Sequence, residues 1–275
     1  MSGKLGIIAG GKDLPQEVIK HCRASGRPYF VLAFDGQTDP ETVIDSDHAW
    51  VRLGAVGQSL KLLKQNGVEE LVMVGPMKRP SWWEIRPDTK GAFWLARLAK
   101  HAFGDDSMFR IIIDELEKEG FRVIGAENLI GASILATAGP MGKITPDEQA
   151  LQDIQHGTKV AHLLGQADVG QAVIVQGGIV LGVEAVEGTS ELIKRCQSLH
   201  RKGPGGVLVK TVKPDQDRRV DLPTIGLETV KQAHAHGLRG IAVEANSVQV
   251  LQKREAVEYA NAHGLFLYGI ENDRT

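Results

Sequence analysis

Short apolar runs alternate along this chain with longer segments in which apolar residues recur at helical spacing. Leu5 to Ala9 is such a run, and it enters Gly10-Gly11. Asp13-Leu14-Pro15 then opens a segment whose Val18, Ile19 and Cys22 fall on one face, which predicts a strand, a glycine turn and a helix. Further runs at Tyr29 to Phe34, up to Arg52-Leu53, at Leu71 to Val74 and at Phe121 to Gly125 predict strands, with a helix over 56–66 between two of them. Strands alternating with helices in this way define an α/β chain with a mostly parallel, doubly wound, Rossmann-like sheet, whose ligands would sit beyond the strand carboxyl ends. Gly10-Gly11 and Gly75-Pro76 are both strand exits. The glycine spacing does not match G-x-G-x-x-G, so a dinucleotide site is weakly supported. A turn feeding a helix N-terminus can still receive phosphate, and a tight turn with no ligand fits equally.

The apolar stretch Leu129 to Ala138 closes the first half, and Gly139-Pro140-Met141-Gly142 reads as a linker. The expected domains are therefore residues 1–138 and 139–275. In the second, Thr145-Pro146-Asp147-Glu148 predicts a helix capped by Thr145 and running to about Leu164. Val173 to Gln176 and Ile179 to Val186 form a hairpin about Gly177-Gly178. Alternation places Glu184 on a small-residue face, where its carboxylate needs a partner. Thr189 is placed to cap the next helix, and the free amides there could take a phosphate instead. Val207-Leu208-Val209 reads as a buried strand. Helix, strand, helix and strand follow at Leu227 to His236, Gly240 to Glu244, Val250 to Ala262 and Leu265 to Tyr268, a second α/β domain with a mixed sheet.

Composition narrows the partners. With 275 residues, 42% hydrophobic and 24% charged, the chain has the make-up of a folded two-domain protein. A net charge of −2 argues against a nucleic-acid binder. The two cysteines, Cys22 and Cys196, are far apart and outside any metal-ligand spacing, which suits reduced thiols in a cytoplasmic protein. No run approaches the length of a membrane span, and MSGKLGIIAGG is too short in apolar residues for a signal peptide. Trp82, Trp83, Phe93 and Trp94 stand among Lys78, Arg79, Arg86, Lys90, Arg97 and Lys100. That mixture suits transient contact with a membrane surface, or a helix packed by its own aromatics.

Chemistry concentrates between Lys210 and Asp221, where Lys210, Lys213, Arg218 and Arg219 face Asp215, Asp217 and Asp221. A phosphate held with a divalent cation needs that mixture, and a solvated turn also fits it. Glu187, Asp217 and Asp221 are the candidate metal ligands or base, and Lys210, Lys213 and Arg219 the candidate phosphate contacts. Asp221 stands between Arg219 and Pro223, whose ring restricts the backbone around the carboxylate. Oxygen ligands favour magnesium or manganese.

Several long motifs make the chain recognisable. LGIIAGGKDLP, GPMKRP, GDDSMFR and TPDEQALQDIQHG are followed by GVEAVEG at Gly182 to Gly188 and by the stretch from Gly206 to Gly226 with its K-x-x-K-P-x-Q-D-x-R-x-D-x-P-x-I-G pattern. Together they resemble the UDP-2,3-diacylglucosamine pyrophosphatases of the LpxI type, which act in lipid A synthesis. Ser190 departs from the pattern, which carries an acidic residue there. The resemblance implies a metal-dependent hydrolase that cleaves UDP-2,3-diacylglucosamine to 2,3-diacylglucosamine 1-phosphate (lipid X) and UMP. It also implies a cytoplasmic protein meeting its lipid-linked substrate at the inner membrane surface, and leaves room for a homo-oligomer. Asp221 and Lys210 are then the catalytic candidates. Gly10, Gly11, Asp105, Asp106, Thr189, Lys213, Gln216, Arg219 and Thr224 are the substrate contacts. A nucleotide-sugar transferase needs similar phosphate contacts, and a non-catalytic carrier or sensor of the phosphorylated lipid needs them too. Only the hydrolase releases UMP with water alone.

Overall fold

The computed structural model describes residues 3–78, 85–101, 105–214, 216–219 and 222–271. Two compact units emerge from the internal contacts. The first ends at Gly131 and takes in the short stretch beginning at Asp217, and the second begins at Ala132. The sequence-based boundary at 138/139 lies a few residues further on.

In the first unit, β1 (Lys4–Ala9), β2 (Tyr29–Phe34), β3 (His48–Val51), β4 (Val68–Val74) and β5 (Arg122–Val123) form a wholly parallel sheet in the order β3-β2-β1-β4-β5. Alternation along β1 sorts Leu5, Ile7 and Ala9 to one face and Ile8 to the other. The first face is covered by α1 (Asp13–Ser25) and α5 (Ala126–Ile130), the second by α2 (Val56–Gln65), α3 (Thr89–His101) and α4 (Asp105–Lys118). Gly6 is required where α2 and β4 press on β1, because a Cβ there would lie 2.7 Å from the Leu71 side chain. Trp94 on α3 is part of this core. Lys90 and Arg97 pair with Glu119 and Glu115, while Phe93 is 63% exposed. Trp82, Trp83 and Arg79 lie outside the described residues.

The second unit carries a mixed sheet in the order β6-β13-β11-β9-β7-β8. Its strands are β6 (Gly139–Pro140), β7 (Ala172–Gln176), β8 (Ile179–Val183), β9 (Val207–Lys210), β11 (Gly240–Glu244) and β13 (Phe266–Ile270). β9, β11 and β13 run parallel, and β6 and β7 join antiparallel. One face is covered by α6 (Glu148–Gln166), the other by α7 (Gly188–Cys196), α8 (Leu227–Ala235) and α9 (Lys253–Ala262). A separate parallel pair joins β10 (Thr224–Gly226) to β12 (Gln249–Leu251).

Four local expectations are corrected. The presumed linker at Gly139-Pro140 is an edge strand, paired with Gly269 and Tyr268 of β13. Asp147, not Thr145, caps α6, since its Oδ1 accepts the Ala150 amide at 2.8 Å. Thr189 lies within the first turn of α7 and makes no cap bond there, because its hydroxyl is turned to Glu184. The segment before α9 is not helical, since residues 249–251 pair with residues 224–226.

The β7–β8 turn follows the glycine signal, with Gly177 and Gly178 both at positive φ. A carboxylate buried on α6 grips it. Asp153, only 1% exposed, accepts Gly177 N at 2.9 Å and Gly178 N at 2.6 Å. Asp153→Ala is therefore expected to lower unfolding stability by roughly 2 kcal/mol, the usual scale for lost hydrogen bonds to a charged group. Denaturant unfolding of the variant checks this, and an unchanged midpoint would show that the turn holds without the carboxylate.

Candidate active site

β9 enters from Gly205-Gly206 as a fully buried Val-Leu-Val run and ends on a lysine. Lys210 is 7% exposed and shares its face with Leu208, on the α7 side of the sheet. A buried ammonium needs partners, and this one donates to Thr189 Oγ1 at 2.9 Å and to the Thr224 carbonyl at 3.2 Å. Having accepted from the lysine, the Thr189 hydroxyl donates to Glu184 Oε1 at 2.5 Å. Glu184 Oε2 accepts the Gln171 amide at 3.2 Å. The partner that Glu184 was expected to need is thus Thr189, and the Lys-Thr-Glu chain has one proton direction. Lys210, Thr189 and Thr224 come together as one cluster. The Thr224 hydroxyl itself faces Leu222 O and Gln249.

A few residues beyond the strand, Lys213 is 8% exposed and donates to Asp168 Oδ1 at 2.5 Å. Its backbone amide donates to Gln216 Oε1 at 3.1 Å, so Lys213 and Gln216 form a closed turn. Asp168 and Glu244, which grip this loop, were not singled out in sequence. A carboxylate ending the apolar run Gly240 to Val243 was the available signal for Glu244.

The acidic candidates are engaged elsewhere. Glu187 Oε1 accepts Arg195 Nη2 at 2.8 Å and Nε at 3.1 Å, and its Oε2 accepts the Ala185 amide at 3.1 Å. Its own backbone N–H foremost, with Arg195 and the Ala185 amide against the cost of burial, holds its carboxyl below the ordinary glutamate value. Asp217 is clasped by Arg219, with Nε at 3.0 Å from Oδ1 and Nη2 at 2.8 Å from Oδ2, and it also accepts the Arg219 amide. These bonds to Arg219 depress the Asp217 carboxyl against the opposing effect of burial. Arg219 also pairs with Glu117 at 2.8 Å.

Asp221 lies outside the described residues, as do Asp215 and Val220. Asp105 and Asp106 open α4. Among the described residues no three His, Cys, Asp or Glu side chains converge, and Glu187 and Asp217 each hold a guanidinium. In the first unit, the Gly10 amide donates to Val74 O at 2.8 Å and the Gly11 amide to Pro76 O at 3.0 Å. The glycines there serve close approach, since a Cβ on Gly10 would lie 2.4 Å from the Gly75 carbonyl.

The two-unit α/β fold places buried amines and hydroxyls at strand exits, groups of the kind that can hold oxyanions. Residues 4–132 match the family model of the LpxI N-terminal domain and residues 137–268 that of the LpxI C-terminal domain. The chain is 38% identical to the UDP-2,3-diacylglucosamine pyrophosphatase LpxI of Caulobacter vibrioides, over 98% of each sequence. It belongs to the LpxI family.

The Asp217–Arg219 pair has a definite pH signature. A carboxyl held below its unfolded value stabilises the fold fully above that value, about pH 4, and the contribution is lost as pH falls through the folded value. The stability gap between the native chain and Asp217→Asn should stay constant from neutral pH down to about pH 5 and shrink below about pH 4. Urea unfolding across that range measures it. A gap unchanged with pH would mean that the ion pair contributes nothing to folding.

Proposed function

We propose that this chain hydrolyses the pyrophosphate of UDP-2,3-diacylglucosamine, releasing 2,3-diacylglucosamine 1-phosphate (lipid X) and UMP as a step of lipid A synthesis. The observation that carries this reading is the identity with a pyrophosphatase of that name along both units. Cleaving a diphosphate requires positive charge against the bridging group, an activated water and alignment of the two. Lys210 and Lys213 are the charges, held in low-dielectric surroundings where their field on a phosphate is strong. Thr189, Gln216, Arg219 and Thr224 complete the contacts, and Asp221 is the base or ligand, framed by Arg219 and Pro223. Gly10, Gly11, Asp105 and Asp106 are substrate contacts on the first unit. Magnesium or manganese belongs to the proposal because such an ion binds through one or two carboxylates and the substrate's own phosphates, so a three-carboxylate cage is not required. When bound it would neutralise the diphosphate.

No helix among the described residues is long and apolar enough to cross a membrane. A cytoplasmic enzyme meeting its substrate at the bilayer surface, with the outward Phe93 of α3 as one contact, fits an acylated substrate.

Incubation of the purified protein with UDP-2,3-diacylglucosamine in oxygen-18 water should yield UMP and lipid X, with label in one of them. Excess chelator should abolish turnover, and magnesium or manganese should restore it. Product that forms only with an added acceptor, or no product at all, would make the protein a transferase or a carrier. Undiminished turnover in chelator would remove the metal from the scheme.

A further inference from the structure

The loop that carries Lys213 is held from several sides, all within the second unit. Its ammonium donates to Asp168. Asp168 follows the end of α6 with φ at 52°, in the left-handed region that few non-glycine residues adopt and that aspartate and asparagine tolerate best. Its amide donates to Gly165 O at 3.1 Å. Gly165 itself lets α6 lie directly on the loop, since a Cβ there would stand 3.3 Å from Lys213 Cα. Glu244, 2% exposed at the end of β11, also holds the loop by accepting the Val212 amide at 2.9 Å.

The same place tolerates poor polar pairing. His162 Nε2 stands 3.7 Å from Glu244 Oε2, and it, Thr211 Oγ1 and Gln171 Oε1 are buried without a hydrogen-bond partner among the described residues. Thr211 and Gln171 are cross-strand neighbours, joined by the Thr211 N to Gln171 O bond at 3.0 Å. Several unsatisfied buried atoms beside this loop mark a place shaped by more than stability.

We propose that Asp168 is a positioning residue for hydrolysis, acting through Lys213: it aims the ammonium while Glu244 fixes the backbone of the loop. The proposal rests on reading Lys213 as a phosphate contact. Asparagine tolerates the left-handed conformation as aspartate does, so Asp168→Asn removes the charge and leaves the backbone. A lysine displaced by a fraction of its length costs rate more than affinity. Asp168→Asn should therefore cut kcat by about 10- to 100-fold, with KM changed by less than about 3-fold and the melting temperature close to that of the native chain. Asp168→Glu, which restores the charge, should recover part of the loss.

A double-mutant cycle with Lys213→Ala, measured on the full chain with UDP-2,3-diacylglucosamine, decides whether the effect runs through the lysine. Asp168→Asn combined with Lys213→Ala should be no slower than Lys213→Ala alone. Losses that multiply, or a normal kcat for Asp168→Asn beside a crippled Lys213→Ala, overturn the positioning role. Full activity of Lys213→Ala instead overturns the phosphate-contact reading of Lys213, and with it the proposal.

Discussion

An apolar strand that ends on a buried ammonium sets the constraint from which the second unit follows. Removing a lysine head from water is unfavourable unless hydrogen bonds and opposite charge replace its hydration. Among the described residues, the replacement at the end of β9 comes from the Thr189 hydroxyl at the start of α7, the Thr224 carbonyl of β10, and Glu184 behind Thr189. Shifting α7 or β10 would strand the charge, so the placement of these elements and of the lysine are one problem. Lys213 repeats the arrangement with Asp168. Burial raises the field that either lysine exerts, and fixed partners reduce the reorganisation that a bound phosphate would demand.

The architecture was readable because each unit obeys a simple rule. Runs such as Tyr29 to Phe34 are apolar at every position because both faces of a parallel sheet are covered, and they stand out for that reason. Gly177-Gly178 marked its hairpin because two successive positive φ angles admit few other residues. The elements missed were those whose pairing is purely tertiary. β10 and β12 are three residues each and pair with one another outside the main sheet. The Gly139-Pro140 edge strand looks like a linker because proline and glycine serve an unpaired edge as well as a loop.

Chemistry was legible to a different degree. The density of charge from Lys210 to Arg219 drew attention to the loop, and charge density is a one-dimensional property. Which acid meets which base is not. Glu187 and Asp217 read as ligands by composition, yet each faces a guanidinium, Arg195 across two turns of α7 and Arg219 two residues away. Asp168 carried no local mark at all, since what sets it apart is a backbone angle and a bond to a lysine 45 positions further along.

In the proposed function the diphosphate is held at the carboxyl edge of β9. The most direct measurement is a crystal structure with a methylene-bridged analogue of the sugar nucleotide, which cannot be hydrolysed. It should show phosphate oxygens within hydrogen-bonding distance of Lys210 Nζ or Lys213 Nζ. A well-ordered analogue whose phosphates touch neither, with Lys210 still on Thr189 and Lys213 still on Asp168, would contradict the account.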